Sequence, residues 1–454
     1  MKIIIAGCGR VGYALAQQLN DEGHELTLID NSADRLAPAL SNLDLQGIVG
    51  SATSFLTQKE AGVQKADLFI AVTDKDEVNL IACLLAKKAS KCRTIARVRD
   101  PQYFREIGYL KECMDISMII NPEYAAATEI AQLIQVPDAM EIDSFAKERV
   151  DLLRVAIPEE SILHNMKVMD FSKKFNHEVL ICILEHNHQI SIPDGSTVLT
   201  AGDTISVIMP RQKIRSFYRI SKLSSIHDIH DVMIAGGGMI SFYLTQMLLR
   251  SGIPVKIIER NRERCEFLSD MLEHATIIHS EASDHELLLE EGIAQADAFV
   301  ALTSMDEENV FLSLFANKQA PHSKQITKLN RLTADEIISG LPIGSIISPK
   351  AITTEYILQY VRSQSNSYGS NVEALYRLMD NQVEALEFYV NTDNEVTGIP
   401  LLEMKLKKNL LVCCIVRKNK VITPSGRDTI EMGDTVIIVT THKGLQDITD
   451  ILDR

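Results

Sequence analysis

Long apolar runs and an excess of basic charge are both absent from this chain of 454 residues. No apolar run reaches the length of about 18 residues that a membrane-spanning helix needs, so the sequence predicts none. Acidic residues outnumber basic ones by 61 to 46, which gives a formal net charge of −15. A nucleic-acid surface needs a basic face, and direct attachment to anionic lipid needs a polybasic patch. The charge balance therefore argues against both kinds of partner.

Paired cysteines, metal-ligand spacings and a cleavable leader are missing as well. The eight cysteines form no CxxC pair, and the closest two are the adjacent Cys413 and Cys414. Thiols scattered in this way are typical of reduced core residues in a cytosolic protein. The chain opens on an apolar strand pattern without a cationic segment before it, so we expect no secretory signal.

An internal repeat is the strongest feature that the sequence does contain. Segments 3–12 and 232–241 each run from a short apolar stretch into a cluster of glycines. Each is followed by another apolar stretch that ends in an acid, Asp30 in the first copy and Glu259 in the second. The spacing between the copies is 229 residues at both the first glycine and the acid. Repetition at this length indicates duplicated domains rather than a solenoid.

Strand-like and helical patterns alternate within each copy. In the first copy, apolar stretches such as Lys2–Ala6 and Leu68–Thr73 alternate with segments of helical spacing such as Val11–Glu22. That alternation is typical of a doubly wound parallel sheet. A smaller unit follows each copy, and both smaller units carry a Pro-x-Gly turn and then a Gly-Asp pair before the last predicted strand.

We therefore predict an α/β fold of two Rossmann-like domains with doubly wound parallel sheets, each followed by a small α+β domain. The predicted domains span residues 1–125, 140–224, 229–350 and 372–454. Segment 363–371, rich in serine and asparagine, is predicted to be a linker. Two nucleotide-binding folds without an obvious catalytic domain between them favour a protein that senses a nucleotide.

The first copy carries the glycine fingerprint of a dinucleotide site. Gly7, Gly9 and Gly12 lie between a predicted strand and a predicted helix, where such a loop must lie. The first glycine permits a tight turn, the second lets the backbone approach a pyrophosphate, and the third lets the helix pack on the strand. Asp30 can accept both ribose hydroxyls. Its charge disfavours a 2′-phosphate, so NAD(H) or an adenine nucleotide is favoured over NADP.

Polar residues at predicted strand ends complete the first candidate site. Thr73 and Asp74 follow the fourth strand, at the carboxyl edge where ligands bind in open α/β sheets. Both are also suited to capping the next helix, which is compatible with ligand contact. Arg97 ends the next strand and is a candidate phosphate ligand. Arg10, inside the glycine loop, either contacts a terminal phosphate or is a solvated residue at the helix start.

The second copy departs from this pattern. Ser241 replaces Gly12, Met239 replaces Arg10, Ser304 replaces Asp74, and Lys328 stands near the place of Arg97. Serine is small enough to keep the packing roughly intact, and Glu259 is still able to hold a ribose. The repeat spacing shifts by one residue, and we interpret Glu281 as the inserted residue. The sequence predicts a second nucleotide site with a weaker or different preference.

Together these motifs resemble the tandem RCK (KTN) family of potassium-uptake regulators. The resemblance spans essentially the whole chain. It rests on the Gly-Cys-Gly-Arg-Val-Gly opening, Asp30, the Ala-Val-Thr-Asp-x-Asp-Glu-x-Asn segment, residues Ile95–Arg99 and the turns of the small units. It implies a cytosolic, homo-oligomeric gating ring, tetrameric in the family, on the inner face of the membrane beneath a potassium transporter subunit of the TrkH/TrkG type. It also implies NAD(H) or ATP/ADP as regulatory ligands and no enzymatic activity.

The resemblance further implies a set of nucleotide contacts in each copy. In the first copy these are Gly7, Cys8, Gly9, Arg10, Val11, Asp30, Thr73, Asp74 and Arg97. In the second copy they are Gly236, Gly237, Gly238, Met239, Ile240, Glu259, Thr303, Ser304 and Lys328. The departures in the second copy leave its discrimination among nucleotides open.

Two other functions remain open from the residues alone. A duplicated NAD-dependent oxidoreductase would need an acid–base residue opposite the nicotinamide, and the small units supply no convincing histidine–acid pair. A different signalling receptor would use the small units to bind a separate effector such as a cyclic dinucleotide. We favour the nucleotide-sensing regulator.

Overall fold

The computed structural model describes residues 1–136, 139–146, 149–187, 189–223, 229–330, 340–365, 372–379, 382–418 and 420–453. These residues form two six-stranded parallel sheets and two five-stranded antiparallel sheets. The predicted fold class is confirmed, because a Rossmann-like unit precedes a small α+β unit twice. Within the described ranges, no helix combines the length and the apolar character needed to cross a bilayer.

The first large unit is a parallel sheet in the order β3-β2-β1-β4-β5-β6. Its strands are β1 Lys2–Ala6, β2 Glu25–Asp30, β3 Gln46–Val49, β4 Leu68–Ala71, β5 Arg93–Arg97 and β6 Met118–Ile120. Its helices are α1 Arg10–Asp21, α2 Ala33–Asn42, α3 Phe55–Glu60, α4 Asp76–Ala89, α5 Pro101–Arg105 and α6 Ile107–Cys113. The central strands are buried on both faces, which explains their continuous apolar sequences. The strand order reverses between β1 and β4, and this switch point opens a crevice at the carboxyl edge.

The first small unit is an antiparallel sheet in the order β10-β9-β11-β8-β7. A long helix, α7 Pro122–Gln135, leads into it. Its strands are β7 Glu141–Phe145, β8 Val150–Ala156, β9 Leu180–His186, β10 Gln189–Ser191 and β11 Thr204–Pro210. Its helices are α8 Val168–Lys174 and α9 Ile214–Ser221.

The second large unit repeats the first, in the order β14-β13-β12-β15-β16-β17. Its strands are β12 Val232–Ala235, β13 Val255–Glu259, β14 Thr276–His279, β15 Ala298–Ala301, β16 Lys324–Lys328 and β17 Ser345–Ile347. Its helices are α10 Met239–Arg250, α11 Arg262–Met271, α12 His285–Glu290 and α13 Asp306–Gln319.

The second small unit has the order β18-β19-β22-β20-β21 and follows another long helix, α14 Pro349–Ser365. Its strands are β18 Val372–Leu378, β19 Val383–Tyr389, β20 Leu410–Arg417, β21 Lys420–Ile422 and β22 Thr435–Thr440. The two small sheets share one core, in which the Phe145 and Tyr376 rings lie 4.3 Å apart. The eight cysteines are free, and all except Cys113 are buried.

Three details of the sequence prediction need correction. Residues 363–365 of the predicted linker belong to α14, and residues 366–371 lie outside the described residues. The edge strands β7, β10, β18 and β21 of the small sheets were not predicted: β7 has only two apolar residues and β10 and β21 are three residues long, whereas β18 is largely apolar and was overlooked. Glu281 is not an insertion: it occupies the place of Ser51, since the extra residue falls earlier, in the loop between α11 and β14.

Two long helices exchange partners between the halves. Helix α7 leaves the first parallel sheet, yet Ile130 and Ile134 pack in one core with α10 and the second parallel sheet. Helix α14 leaves the second parallel sheet, and Ile357 and Val361 pack in the core of the first. Each half therefore completes the hydrophobic core of the other.

Polar contacts fix this exchange at both helices. The Asn121 side-chain amide, at the start of α7, donates to the Tyr243 hydroxyl of α10 at 3.1 Å. Arg362 of α14 donates to the Glu22 carboxylate at the end of α1, with 2.6 Å between Nη2 and Oε1. The first helix is thus held by a neutral hydrogen bond and the second by an ion pair whose arginine is buried.

Candidate functional site

The glycine loop of the first half is shaped by close backbone contacts. Gly7 has φ +105°, and a Cβ on it would lie 2.9 Å from the backbone nitrogen of Thr73. A Cβ on Gly12 would lie 1.8 Å from the Gly7 carbonyl oxygen, so α1 packs on the loop at a distance that only glycine permits. Gly9 faces open space, with nothing within 4 Å of its Cβ position. The loop therefore leaves room for a ligand at its second glycine.

The amino end of α1 offers free backbone donors beside that opening. Gly9 is the N-cap residue and makes no side-chain capping bond, so the first N–H groups of the helix lack a side-chain partner. Such groups, with the helix dipole, favour a bound phosphate. Arg10 is exposed at the first helical position, whereas Val11 is buried and fills the core.

Asp30 lies at the end of β2 and is 5% exposed. Its carboxylate accepts hydrogen bonds from the backbone N–H groups of Cys8 at 2.7 Å and Ser32 at 2.9 Å. These two bonds tie the acid to the glycine loop and fix its orientation. A carboxylate has about four acceptor positions, so it retains capacity for ribose hydroxyls.

The end of β4 is organised by a buried asparagine. Both the backbone N–H and the hydroxyl of Thr73 donate to Oδ1 of Asn79, at 2.8 and 2.7 Å. The amide of Asn79 in turn donates to the Arg97 carbonyl at 2.9 Å and so joins β4 to β5. Sequence reasoning included Asn79 in a repeated segment but assigned it no role. Its identity with Asn309 in the second copy was the available signal.

Arg97 places a largely buried cation at the same edge. Its Nη2 donates to the Thr73 carbonyl at 2.7 Å, and its Nε has no hydrogen-bond partner among the described residues. Burial, and then the nearby charge of Arg99, lower the pKa of the Arg97 guanidinium. Asp74 lies 3.9 Å away at the cleft surface. A phosphate at this edge would give the guanidinium a second anionic partner and an acceptor for its unpaired Nε.

Arg35, on the first turn of α2, is a site residue that the sequence analysis missed. Its Nη1 lies 3.6 Å from Oδ2 of Asp74, so its side chain connects the β2 side of the cleft with the β4 side. Its carbonyl accepts a hydrogen bond from the Cys8 thiol at 3.1 Å. Arg35 lies outside the glycine motif, but the repeat offered a signal, because Arg264 occupies the equivalent position.

The glycine loop of the second half keeps the backbone and changes the contacts. Gly236 has φ +99°, and its Cβ position lies 2.9 Å from the Leu302 carbonyl carbon. Ser241, at the place of Gly12, is wholly buried, and its hydroxyl donates to the Gly236 carbonyl at 2.5 Å. A side-chain hydrogen bond therefore replaces the glycine contact. Gly238 again faces open space, and it leaves α10 without a side-chain cap.

The second acid and the strand ends follow the first half closely. Glu259 accepts the backbone N–H of Gly237 at 2.6 Å and that of Asn261 at 2.7 Å. The Thr303 N–H donates to the buried Asn309, and Lys328 Nζ donates to the Leu302 carbonyl at 3.1 Å. Burial lowers the pKa of Lys328. Ser304 is exposed, as is Asp74 in the first half, but it carries no charge.

Arg264 gives the second cleft a different entrance. Its Nε donates to the Gly237 carbonyl at 2.6 Å, and its Nη2 lies 3.2 Å from the Met239 sulfur. The guanidinium carbon lies 4.6 Å from the centre of the Phe267 ring. The side chain is therefore folded against the glycine loop instead of reaching across the cleft. Ile240, like Val11, is buried and belongs to the core.

Duplicated Rossmann-like units, each with a glycine loop, an acid at the end of the second strand and a small antiparallel unit behind it, define a class of tandem two-domain folds. Residues 3–122 and 232–349 match the TrkA-N domain, and residues 152–222 and 385–453 match the TrkA-C domain. The chain belongs to the TrkA family of Trk system potassium uptake proteins.

Curated relatives match over nearly the full length. The chain is 32% identical to the Trk system potassium uptake protein TrkA of Haemophilus influenzae, over 98% of this chain and 96% of that protein. It is 30% identical to a TrkA homolog of Archaeoglobus fulgidus, over 99% of this chain and all of that protein. The resemblance predicted from the motifs is thereby confirmed.

Solved structures share the fold at low sequence identity. The GsuK channel covers 97% of this chain with a TM-score of 0.65 and 15% identity, and the match covers 77% of that chain. The GsuK channel bound to NAD gives a TM-score of 0.63 at 14% identity, with the same coverage. At this identity the comparison establishes the common architecture.

Proposed function

We propose that this protein is the cytosolic, nucleotide-sensing regulatory subunit of a Trk-type potassium uptake system. The first cleft carries the proposal, because an uncapped helix, the buried Asp30 and the buried Arg97 meet at one sheet edge. Helix N–H groups suit phosphate, and a fixed carboxylate suits ribose hydroxyls. Membership of the TrkA family supports the connection to potassium uptake.

The proposed ligands are NAD(H) or ATP/ADP. Asp30 favours an unmodified ribose over one with a 2′-phosphate, because the negative charges of the carboxylate and the phosphate would repel each other. Neighbouring structures are described as bound to NAD and to ADP, but they share only the fold with this chain. The choice among these nucleotides for this chain therefore rests on its own residues and on measurement.

The proposed partner is a membrane potassium transporter subunit of the TrkH/TrkG type. A tetrameric ring of this protein would lie against it on the inner face of the membrane. Coupling between two ligand sites is typically about 1–3 kcal/mol, whereas moving a two-state gate from mostly closed to mostly open takes about 5.5 kcal/mol. One cleft does not supply this free energy, but several clefts acting on one assembly do. We therefore propose that nucleotides act by changing the angle between paired large units.

We propose that the protein is not an enzyme. The rival function is an NAD-dependent oxidoreductase, and it makes a direct prediction. Purified protein would consume NADH in the presence of small carbonyl compounds, with the loss followed at the nicotinamide absorbance. Turnover with any member of a carbonyl panel would favour the oxidoreductase, and absence of turnover alongside nucleotide binding would favour the regulator.

Thermal unfolding of the purified full chain tests the ligand assignment. NAD⁺, NADH, NADPH, ATP and ADP are compared for the wild type, Asp30→Ala and the matched variant Glu259→Ala. A ligand at about 100 times its dissociation constant stabilises its site by about 2.7 kcal/mol. We expect NADH or ATP to raise the unfolding temperature of the wild type and of Glu259→Ala, with a smaller rise in Asp30→Ala. Equal shifts in all three proteins would refute the first cleft as the sensor.

A second experiment tests the potassium assignment separately. The wild type and Asp30→Ala are each supplied to cells that contain a TrkH/TrkG-type subunit and lack their own regulatory subunit. We expect potassium uptake with the wild type to depend on nucleotide supply, and the dependence to be lost with Asp30→Ala. Uptake that is indifferent to the presence of either protein would contradict the proposed partner.

A further inference from the structure

Equivalent arginines take opposite arrangements at the two clefts. Arg35 is exposed and reaches to 3.6 Å from the Asp74 carboxylate, across the mouth of the first cleft. Arg264 is half-buried and donates at 2.6 Å to the Gly237 carbonyl within the second glycine loop. Both arginines follow their ribose-side acid by five residues. The difference therefore arises from their neighbours and not from their place in the fold.

Loss of a carboxylate is the first neighbouring change. Asp74 gives Arg35 an anionic partner on the far side of the first cleft. Its counterpart in the second half is Ser304, which is exposed and neutral. An extended Arg264 would therefore lack the partner that Asp74 gives to Arg35.

New partners within the second cleft are the other changes. Met239 stands where the first half has Arg10, so a repelling charge is replaced by a sulfur that lies 3.2 Å from Nη2 of Arg264. Phe267 stands where the first half has Pro38, and its ring lies under the guanidinium at 4.6 Å. A guanidinium over an aromatic face is attracted by the ring quadrupole. Each substitution favours the folded-down arginine independently of the others.

The folded-down side chain lies where a nucleotide would enter. Gly237 and Met239 flank Gly238, the open glycine that corresponds to Gly9. Arg264 contacts both flanking residues, and it lies close enough to Glu259 for that carboxylate to act on its charge. A nucleotide that uses the helix N–H groups and Glu259 must therefore move this guanidinium first.

We propose that Arg264 closes the second cleft against nucleotides. In the first cleft, by contrast, Arg35 leaves Asp74 when a ligand binds and contacts the phosphates of that ligand. This inference rests on the proposed nucleotide-binding function. An exposed ion pair contributes little, so Arg35 leaves Asp74 at small cost, and a phosphate offers it a stronger bidentate contact. Release of Arg264 breaks a hydrogen bond and a ring contact before any ligand contact forms.

Calorimetric titration of the full chain with ATP, ADP and NADH tests this assignment. Asp30→Ala is used to abolish nucleotide binding at the first cleft, so that adding Arg264→Ala shows its effect on binding at the second cleft. Glu259→Ala silences the second, so that Arg35→Ala in that background reports on the first. The apparent affinity of a site that is open in a fraction of molecules falls by that fraction. If about nine-tenths of second clefts are closed, Arg264→Ala tightens binding there about tenfold.

The expected results have opposite signs in the two halves. Arg264→Ala strengthens nucleotide binding at the second cleft, whereas Arg35→Ala weakens it at the first. Ser304→Asp also strengthens binding at the second cleft, because it offers Arg264 the carboxylate it lacks while leaving the arginine in place. Ser304→Asp is at an exposed position, so it keeps the test valid even where Arg264→Ala does not fold.

Results that contradict closure by Arg264 differ from results that contradict nucleotide binding by this protein. Unchanged or weaker binding at the second cleft in both Arg264→Ala and Ser304→Asp overturns the closure, even though the first cleft binds nucleotide normally. Binding by neither the wild type nor any variant overturns the proposed function and the inference together. Binding at the second cleft that appears only in the variants supports the closure.

Discussion

The two clefts of this chain have the same backbone and different side chains at their entrances. In both halves, a glycine at positive φ turns the chain, an acid at the end of the second strand receives two backbone N–H groups, and an asparagine joins the next two strands. The first cleft is bordered by Arg10, Arg35 and Arg97, with Asp74 between two of them. The second cleft has Met239, a folded Arg264 and Lys328 at the three arginine positions, and the neutral Ser304 in place of Asp74. The backbone frame of the cleft is thus the same in both halves, while the charges at its entrance differ.

The third glycine position shows how the frame survives substitution. In the first half the Gly12 Cβ position lies 1.8 Å from the Gly7 oxygen, and no side chain fits. In the second half Ser241 occupies this place, and its hydroxyl donates to the equivalent oxygen. The hydrogen bond satisfies a buried hydroxyl that would otherwise cost free energy. The first loop is therefore the tighter of the two.

Replacement at this glycine should break the equivalence of the two loops most strongly. We expect Gly12→Ala to lower the free energy of unfolding by about 3 kcal/mol, because the new methyl group must displace backbone. The matched change Ser241→Gly removes one hydrogen bond and should cost about 1 kcal/mol. Urea unfolding measures both. Equal losses would mean that the first loop is no tighter than the second.

Removal of the cations at the strand ends, Arg97 and Lys328, should act on nucleotide binding, and its effect should differ between the two clefts. We expect Arg97→Met to weaken nucleotide binding at the first cleft about thirtyfold, which corresponds to about 2 kcal/mol for a lost charged hydrogen bond. Lys328→Met should change binding at the second cleft less, because closure by Arg264 already limits it. Calorimetric titration in the Glu259→Ala and Asp30→Ala backgrounds separates the two effects. A larger loss from Lys328→Met would reverse the assignment of the stronger site.

A pH dependence should distinguish the two long helices. Burial, and then the charge of Glu141, raise the pKa of Glu129 on α7 to about 7. Helix α14 carries Tyr356 at the matching position and so has no carboxyl group there.

Because the folded-state pKa of Glu129 is raised, the stability it contributes is present below its ordinary pKa and is lost as pH rises through about 7. We therefore expect Glu129→Gln to leave stability unchanged near pH 4 and to raise it by about 3 kcal/mol at pH 8. Urea unfolding across this range measures the difference. A gain that is constant with pH would show that the carboxyl group does not titrate in this window.

Loss of the Tyr243 hydroxyl should have the smallest effect on stability and, of the two long helices, should weaken only the contact with α7. Tyr243 bonds to Asn121 of α7 at 3.1 Å and donates to the Arg99 carbonyl at 3.3 Å. We expect Tyr243→Phe to cost about 1 kcal/mol, with little dependence on salt. Hydrogen exchange of the amides of α7 should report it, while the amides of α14 serve as the control. Equal changes in both helices would indicate one cooperative unit.

Local patterns in the sequence predicted the frame of the clefts but not their entrances. The strands, Gly7, Gly9, Gly12 and Asp30 are recognisable because their roles depend on neighbours within one strand–turn–helix unit. Arg35 and Arg264 act on residues far along the chain, and their orientations depend on whether position 74 or 304 carries a charge. The ligand roles of the predicted contacts remain predictions.

Exchange of the long helices was equally invisible in the sequence. The apolar spacing of α7 predicts a buried face, but it does not identify which half supplies the covering surface. Judged by residue type alone, Ile130 and Ile134 could pack on either parallel sheet. Only the three-dimensional arrangement shows that they lie in the second core. The position of the extra residue before β14 was missed for a related reason, because loop lengths leave no periodic signal.

The exchanged helices α7 and α14 also bear on inheritance. In a symmetric pair of identical subunits, every substitution appears in both subunits at once. Here the interlocked halves form a comparable pair, but each is encoded by its own stretch of one gene. The second half can therefore carry Met239, Phe267 and Ser304 where the first carries Arg10, Pro38 and Asp74. A substitution in this chain thus alters one cleft of the pair and leaves the other as it is, which two identical subunits do not allow.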